Sequence, residues 1–108
     1  RRAGASGRIV VLVGHSFGAN TIVMAARQIG LRIALMACVD PAAQFDLTVP
    51  PNVIKALGFR QRIGGIGRGK LGLAGDGRIT DIVIDEAHVY MDDDPIIHAR
   101  IIAAIKAI

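Results

Sequence analysis

An apolar run that stops at a serine set between two glycines constrains this chain more than any other feature. Ile9 to Val13 is an unbroken series of β-branched or aliphatic residues, followed by Gly14-His15-Ser16-Phe17-Gly18 and then by helix formers from Ala19 to Gln28. A short, continuous apolar run suits a strand buried on both faces, the habit of parallel sheets. Ile22, Val23, Ala25, Ala26 and Ile29 give the next segment a broad apolar face, and Gly30 is placed to end it. Strand, sharp turn and helix therefore meet at Ser16. A turn of this kind forces its middle residue into a strained backbone conformation and stands the side chain at the carboxyl edge of the sheet. Glycines two before and two after the serine leave room for it.

The remainder of the chain supplies a sheet. Leu31 to Val39 is a second continuous apolar run, ending in Asp40-Pro41. A short strand-helix-strand unit crosses over right-handed and sets its strands parallel, so Ser16 and Asp40 should emerge on the same sheet edge, where open α/β sheets place their ligands. Pro41 to Pro51 reads as a loop, and Val53 to Gln61 lies between strand and short helix, with a third strand the better fit to the sheet. Gly64 to Gly77 is too glycine-rich for regular structure and reads as a solvated connection, with a lid or substrate-contact loop over the active edge as the alternative. Ile79 to Asp85 alternates apolar and polar residues before closing up, as an edge or half-buried strand does. Asp94-Pro95 spells a helix start, N-cap then first helical residue, and Ile97, Ile101, Ala104, Ile105 and Ile108 form a stripe that should pack on the sheet. With 52% hydrophobic but only 4% aromatic residues, the core must be Ile, Val, Leu and Ala. The expected fold is a single α/β domain over residues 1–108: an open, mostly parallel sheet with flanking helices, preceded by a polar lead-in at 1–7.

Several functions are disfavoured. The net charge of +4 comes from scattered basic residues without interleaved aromatics, a solvated surface rather than a nucleic-acid face. No uncharged apolar stretch reaches the roughly 18 to 20 residues that span a bilayer. Cys38 is the single cysteine, which excludes an internal disulfide. Gly64 to Lys70 fits a phosphate-loop spacing, but Leu71 stands where that loop needs Ser or Thr; Gly67 to Gly72 fits a dinucleotide spacing without the strand and helix it requires. Asp92-Asp93-Asp94 lacks the spaced ligands of a calcium loop and reads as negative charge at a helix start. No cofactor and no metal are expected. The chain opens on Arg1-Arg2 rather than methionine, as a piece of a longer product or a processed form would.

A serine hydroxyl becomes a nucleophile only when a base takes its proton and an acid orients that base. The segment around Gly14 to Gly18 resembles the nucleophile elbow of the α/β-hydrolase superfamily, which includes lipases, esterases and thioesterases. Cys38-Val39-Asp40-Pro41-Ala42 is similar to the strand-end Asp-Pro-Ala segment of lipase-like members, and His88-Val89-Tyr90-Met91-Asp92-Asp93-Asp94-Pro95 to the ends of bacterial ones. The resemblance implies the chain order nucleophile, acid, histidine. Ser16, Asp40 and His88 supply that order, with Asp81, Asp85 and Asp46 as competing acids and His15 and His98 as competing bases. His15, inside the elbow, points away from Ser16 and suits packing or support. The resemblance also implies an oxyanion hole with the amide of Phe17 as one donor and a second from a loop before the elbow; the fifteen residues ahead of Ser16 hold no such loop. It covers nearly all of this chain but about the C-terminal half of the family's domain, so a missing segment or a partner chain should cover the flank of the elbow strand. The expected function is hydrolysis of a small-molecule acyl ester or thioester through an acyl-enzyme. The alternative is a non-catalytic fragment or partner-binding module.

Overall fold

In a computed structural model that describes residues 9–62, 67–72, 77–85 and 87–108, the described strands form one all-parallel sheet in the order β1-β2-β3-β4. The strands are β1 (Val11–His15), β2 (Leu35–Val39), β3 (Ala56–Gln61) and β4 (Ile79–Ile84); the helices are α1 (Phe17–Gln28) and α2 (Pro95–Lys106), with a short 3-10 helix, η1, at His88–Asp93. The fold is α/β with an open parallel sheet. Residues 1–7 and parts of the glycine-rich stretch lie outside the described residues.

The core explains why β2 is apolar throughout. Met36 and Cys38 face a cluster with Ala19, Val23 and Ala26 of α1, while Leu35, Ala37 and Val39 face one with Ile97, Ile101 and Ala104 of α2. Successive residues of a strand point to opposite faces, so a strand covered by a helix on each side can spare no position for a polar side chain. Among the described residues β4 pairs with β3 alone; Thr80 and Val83, which lie on opposite faces, are exposed and the rest of the strand is half-buried, without the alternation expected of it. Among the described residues no helix is long and apolar enough to cross a membrane.

Some boundaries differ from the sequence expectation. β1 begins at Val11 and runs on through Gly14 and His15, and α1 starts directly after Ser16. β2 begins at Leu35, with Ile33 making an isolated bridge to Val53. Gly30 does not terminate α1 in the left-handed conformation. The chain leaves the helix through Ile29 at φ −77°, and the side-chain amide of Asn52 donates to the carbonyls of Ala26 (2.9 Å), Ile29 (3.2 Å) and Leu31 (2.8 Å). A distant amide thus satisfies carbonyls that a helix end leaves open. The stripe on α2 is also shorter than expected. Ile97, Ile101 and Ala104 are buried, but Ile105 and Ile108 are 41% and 50% exposed. Ile105 is turned about 100° from Ala104, and Ile108 lies past the helix end at Lys106.

Candidate active site at the carboxyl edge of the sheet

Each strand end at this edge is tied to its neighbour. Ser16 N–H donates to the Val39 carbonyl at the end of β2 (2.9 Å), and Asp40 N–H donates to the Phe59 carbonyl of β3 (2.6 Å). Both residues turn out of their strands with positive φ, 59° at Ser16 and 49° at Asp40. A non-glycine residue held there is strained and persists only where its surroundings over-determine it. At Ser16 the turn is tight enough to exclude a side chain at Gly14, where a Cβ would come within 2.6 Å of the Gly18 carbonyl oxygen. Gly18 has open space in place of its side chain, so the turn needs the first glycine and not the second.

These turns bring Ser16, His88 and Asp40 into one hydrogen-bonded series. His88 Nε2 lies 2.9 Å from Ser16 Oγ, and His88 Nδ1 lies 2.6 Å from Asp40 Oδ2. A carboxylate only accepts, so the ring proton sits on Nδ1 and leaves Nε2 free to accept from the serine hydroxyl. Asp40 is fully buried and its other contacts are all N–H donors: Gln61 N (3.0 Å) and Arg68 N (2.8 Å) to Oδ1, and Gln61 Nε2 (2.8 Å) to Oδ2. Among the described residues no buried side-chain polar atom lacks a partner. Phe17 is the first residue of α1, so its N–H is among those that a helix leaves without an internal acceptor.

The competing residues stand elsewhere. Asp81 pairs with Arg60 at 2.9 Å and Asp85 with Arg62; Asp46 is exposed beside Arg27. The Arg62 guanidinium holds the Asp85 carboxyl below its usual value, and hydrogen bonds from Thr48 do the same for Asp46. His98 is on an exposed position of α2. His15 lies beside His88, ring centres 4.8 Å apart, and its Nε2 is 3.0 Å from the His88 carbonyl oxygen. That acceptor places a proton on Nε2 of His15, which anchors the backbone that carries His88.

Two parts of the site have no signal in the sequence. Gln61, at the end of β3, is buried and carries no motif. The described part of the glycine-rich stretch is not a solvated connection: Arg68 forms an antiparallel bridge with Ala42, Gly69 N–H donates to the Pro41 carbonyl at 2.7 Å, and Leu71 is buried against Gly58. Gly67, at φ +80°, sits over the Asp40–His88 contact, where a Cβ would overlap Asp40 Oδ2 and lie 2.8 Å from His88 Nδ1. The reciprocal pair between the Asn20 side chain and the Ala42 backbone (2.8 and 3.1 Å) binds the first turn of α1 to the loop after Asp40.

Among the described residues no group of three or more potential ligands could hold a metal. An open groove of about 250 Å³, lined by residues including Lys55, Thr80 and Arg100, lies toward the amino ends of β3 and β4 and includes none of the three residues of the series. Compared with protein-family models, curated proteins and solved structures, the chain matches none.

Proposed function

We propose that the chain carries the catalytic centre of a serine hydrolase that cleaves carboxylic ester or thioester bonds, as lipase- and esterase-like α/β-hydrolases do. The observation that carries this reading is the unbroken series Ser16 Oγ, His88 Nε2, His88 Nδ1, Asp40 Oδ2, at 2.9 and 2.6 Å. Ser16 Oγ attacks the carbonyl carbon as His88 Nε2 takes its proton. Asp40, buried and anionic beside Nδ1–H, holds the ring and stabilises the imidazolium that forms. The negative oxygen of the tetrahedral intermediate is met by Phe17 N–H at the start of α1. Collapse breaks the bond to the alcohol or thiol, which leaves with the proton from His88. Water, deprotonated by the same imidazole, then releases the acid and frees Ser16.

A fluorophosphonate probe tests the reading, because it reacts only with an activated serine. Labelling at Ser16, lost in Ser16→Ala and His88→Ala, is the expected result. A folded protein whose Ser16 stays unlabelled would sink the proposal.

The partner-binding alternative has one observation behind it: among the described residues β1 pairs with β2 alone, and Val13 is 51% exposed. An apolar strand edge invites another strand. Under that reading a folded chain leaves the probe unreacted and binds a partner along β1.

A further inference from the structure

We infer that Gln61 is a positioning residue of this centre, clamping Asp40 so that the oxygen facing His88 cannot turn away. Its effect on rate rests on the hydrolase reading; its effect on the His88 proton does not.

The carboxylate of Asp40 would otherwise be loosely aimed. The terminal torsion of an Asp side chain is broad and roughly two-fold, so backbone placement alone does not fix where each oxygen points. Gln61 N–H and Arg68 N–H hold Oδ1, and that leaves Oδ2 to swing about the anchored oxygen. Gln61 Nε2 closes this freedom by donating to Oδ2, the same atom that accepts from His88 Nδ1. One residue therefore grips both oxygens, one through its backbone and one through its side chain. Gln61 is only 4% exposed, so water does not compete for the amide. An amide also suits the task because it is neutral. A lysine or arginine there would spend the charge of Asp40 on itself, whereas an amide donates and leaves the full negative charge facing His88.

The turn at Gly67 and Arg68 completes the clamp. Its positive φ values, 80° and 66°, lay the backbone flat across the carboxylate and direct Arg68 N–H at Oδ1. With no side chain at Gly67, the strap covers the Asp40–His88 hydrogen bond closely, and a bond shielded from water is electrostatically stronger.

The experiment uses ¹⁵N-labelled protein and two readouts: the low-field proton resonance of His88 Nδ1–H, and the rate at which the phosphonate modifies Ser16. Gln61→Met keeps the length of the side chain and removes the donor. It should broaden or abolish the resonance and slow labelling roughly 10- to 100-fold, as loss of an orienting partner commonly does. Gln61→Glu offers an O–H donor only while protonated, and two adjacent carboxyls resist ionising together. It should therefore match the wild-type resonance at acid pH and lose it as pH rises, over a range in which the wild type keeps it. A resonance and labelling rate unchanged in Gln61→Met overturn the inference, since a residue that only fills space is replaced well by Met. Should Gln61→Met not fold, a pH-independent wild-type resonance in Gln61→Glu overturns it as well. If the resonance responds to Gln61 while wild-type Ser16 stays unlabelled, the positioning role stands and the hydrolase reading falls.

Discussion

β1 and β2 each deliver one end of the same hydrogen-bonded series, yet β2 is buried along its whole length while β1 is half-buried, with Val13 in the open. Their roles in the site differ in the same sense. Asp40 leaves β2 with strands on both sides, is wholly buried, and receives N–H donors from Gln61, Arg68 and His88. Ser16 leaves β1 at the sheet's border, partly exposed, with its hydroxyl facing one imidazole. A group that only orients and stabilises gains from a closed, dry, donor-rich setting, because electrostatic interactions strengthen as water is excluded. Under the hydrolase proposal Ser16 has to meet a substrate, and a group with that task cannot be enclosed that way. Both ends do hold one residue at positive φ, a strain on the order of 1–3 kcal/mol each that the packed edge must sustain.

The change expected to act most strongly strikes the closed end. Asp40→Asn preserves volume but turns an amide NH₂ toward donors on at least one side and no longer holds His88 in the tautomer that leaves Nε2 free. Phosphonate labelling of Ser16 should fall by about 10⁴-fold, the loss seen when the acid of such a series becomes an amide. Asp40→Ala should also destabilise the fold, because the buried N–H of Gln61 loses its acceptor at about 1–3 kcal/mol and the part-buried N–H of Arg68 loses its acceptor too. Chemical denaturation measures this. An Asp40→Asn variant that labels at the wild-type rate would remove Asp40 from the mechanism and leave its burial as a matter of packing alone.

Next in size is the cover over β2. Ile97 is fully buried on α2 and packs in the cluster with Leu35, Ala37 and Val39. Ile97→Ala should cost about 2–5 kcal/mol, whereas Ile105→Ala, eight residues along the same helix, should stay within about 0.5 kcal/mol. Equal effects in denaturant would mean that α2 does not hold β2 down as described. The middle of β2 can be probed by pH as well. Burial pushes the Cys38 thiol up from 9.0 to about 12, so the neutral thiol is the folded form at neutral pH. An acid whose folded value is raised contributes stability below its unfolded value and loses it as pH climbs toward the folded one. Stability should thus decline between about 9 and about 12, and iodoacetamide at pH 8 should modify Cys38 only after denaturation.

Much of the sheet was legible because its signals are local. The uninterrupted Leu35–Val39 run and Asp94-Pro95 ahead of α2 each follow from rules within a few residues, whereas the alternation expected of β4 did not hold, since Thr80 and Val83 are exposed on opposite faces. Asp94 does accept from Ile96 N–H at 2.8 Å, as an N-cap should. The expectation that Ser16, Asp40 and His88 belong together came from resemblance, since no spacing rule brings residues 72 positions apart to 2.9 Å; what the structure adds is their hydrogen-bonded series. What stayed hidden was non-local and unpatterned. Gln61 ends a strand like any polar residue, and its worth lies in a contact 21 residues away. Gly67 and Arg68 sit in a stretch with no apolar periodicity, so a loop over the active edge stood there only as an alternative, with no residue singled out to lie against Asp40. Asn52, which caps α1, is separated from the helix by the whole of β2.

The smallest effect is expected at the open end, and it sharpens the contrast most. Val13 is exposed in the middle of β1, which among the described residues pairs with β2 alone. If that face meets water, Val13→Lys swaps one solvated side chain for another and should change stability by no more than about 0.5 kcal/mol. Labelling of Ser16 should be unaffected, because the Val13 side chain is exposed and the substitution leaves Gly14 and the turn itself intact. The lysine should instead act on association, since a charge on an edge strand opposes pairing with another strand. Sedimentation of the two proteins at matched concentrations separates the cases. A wild type that self-associates and a monomeric Val13→Lys variant would show that β1 is covered in solution. Its openness in the single chain would then be half of an interface, and the difference between β1 and β2 would be one of what covers each strand rather than of whether it is covered.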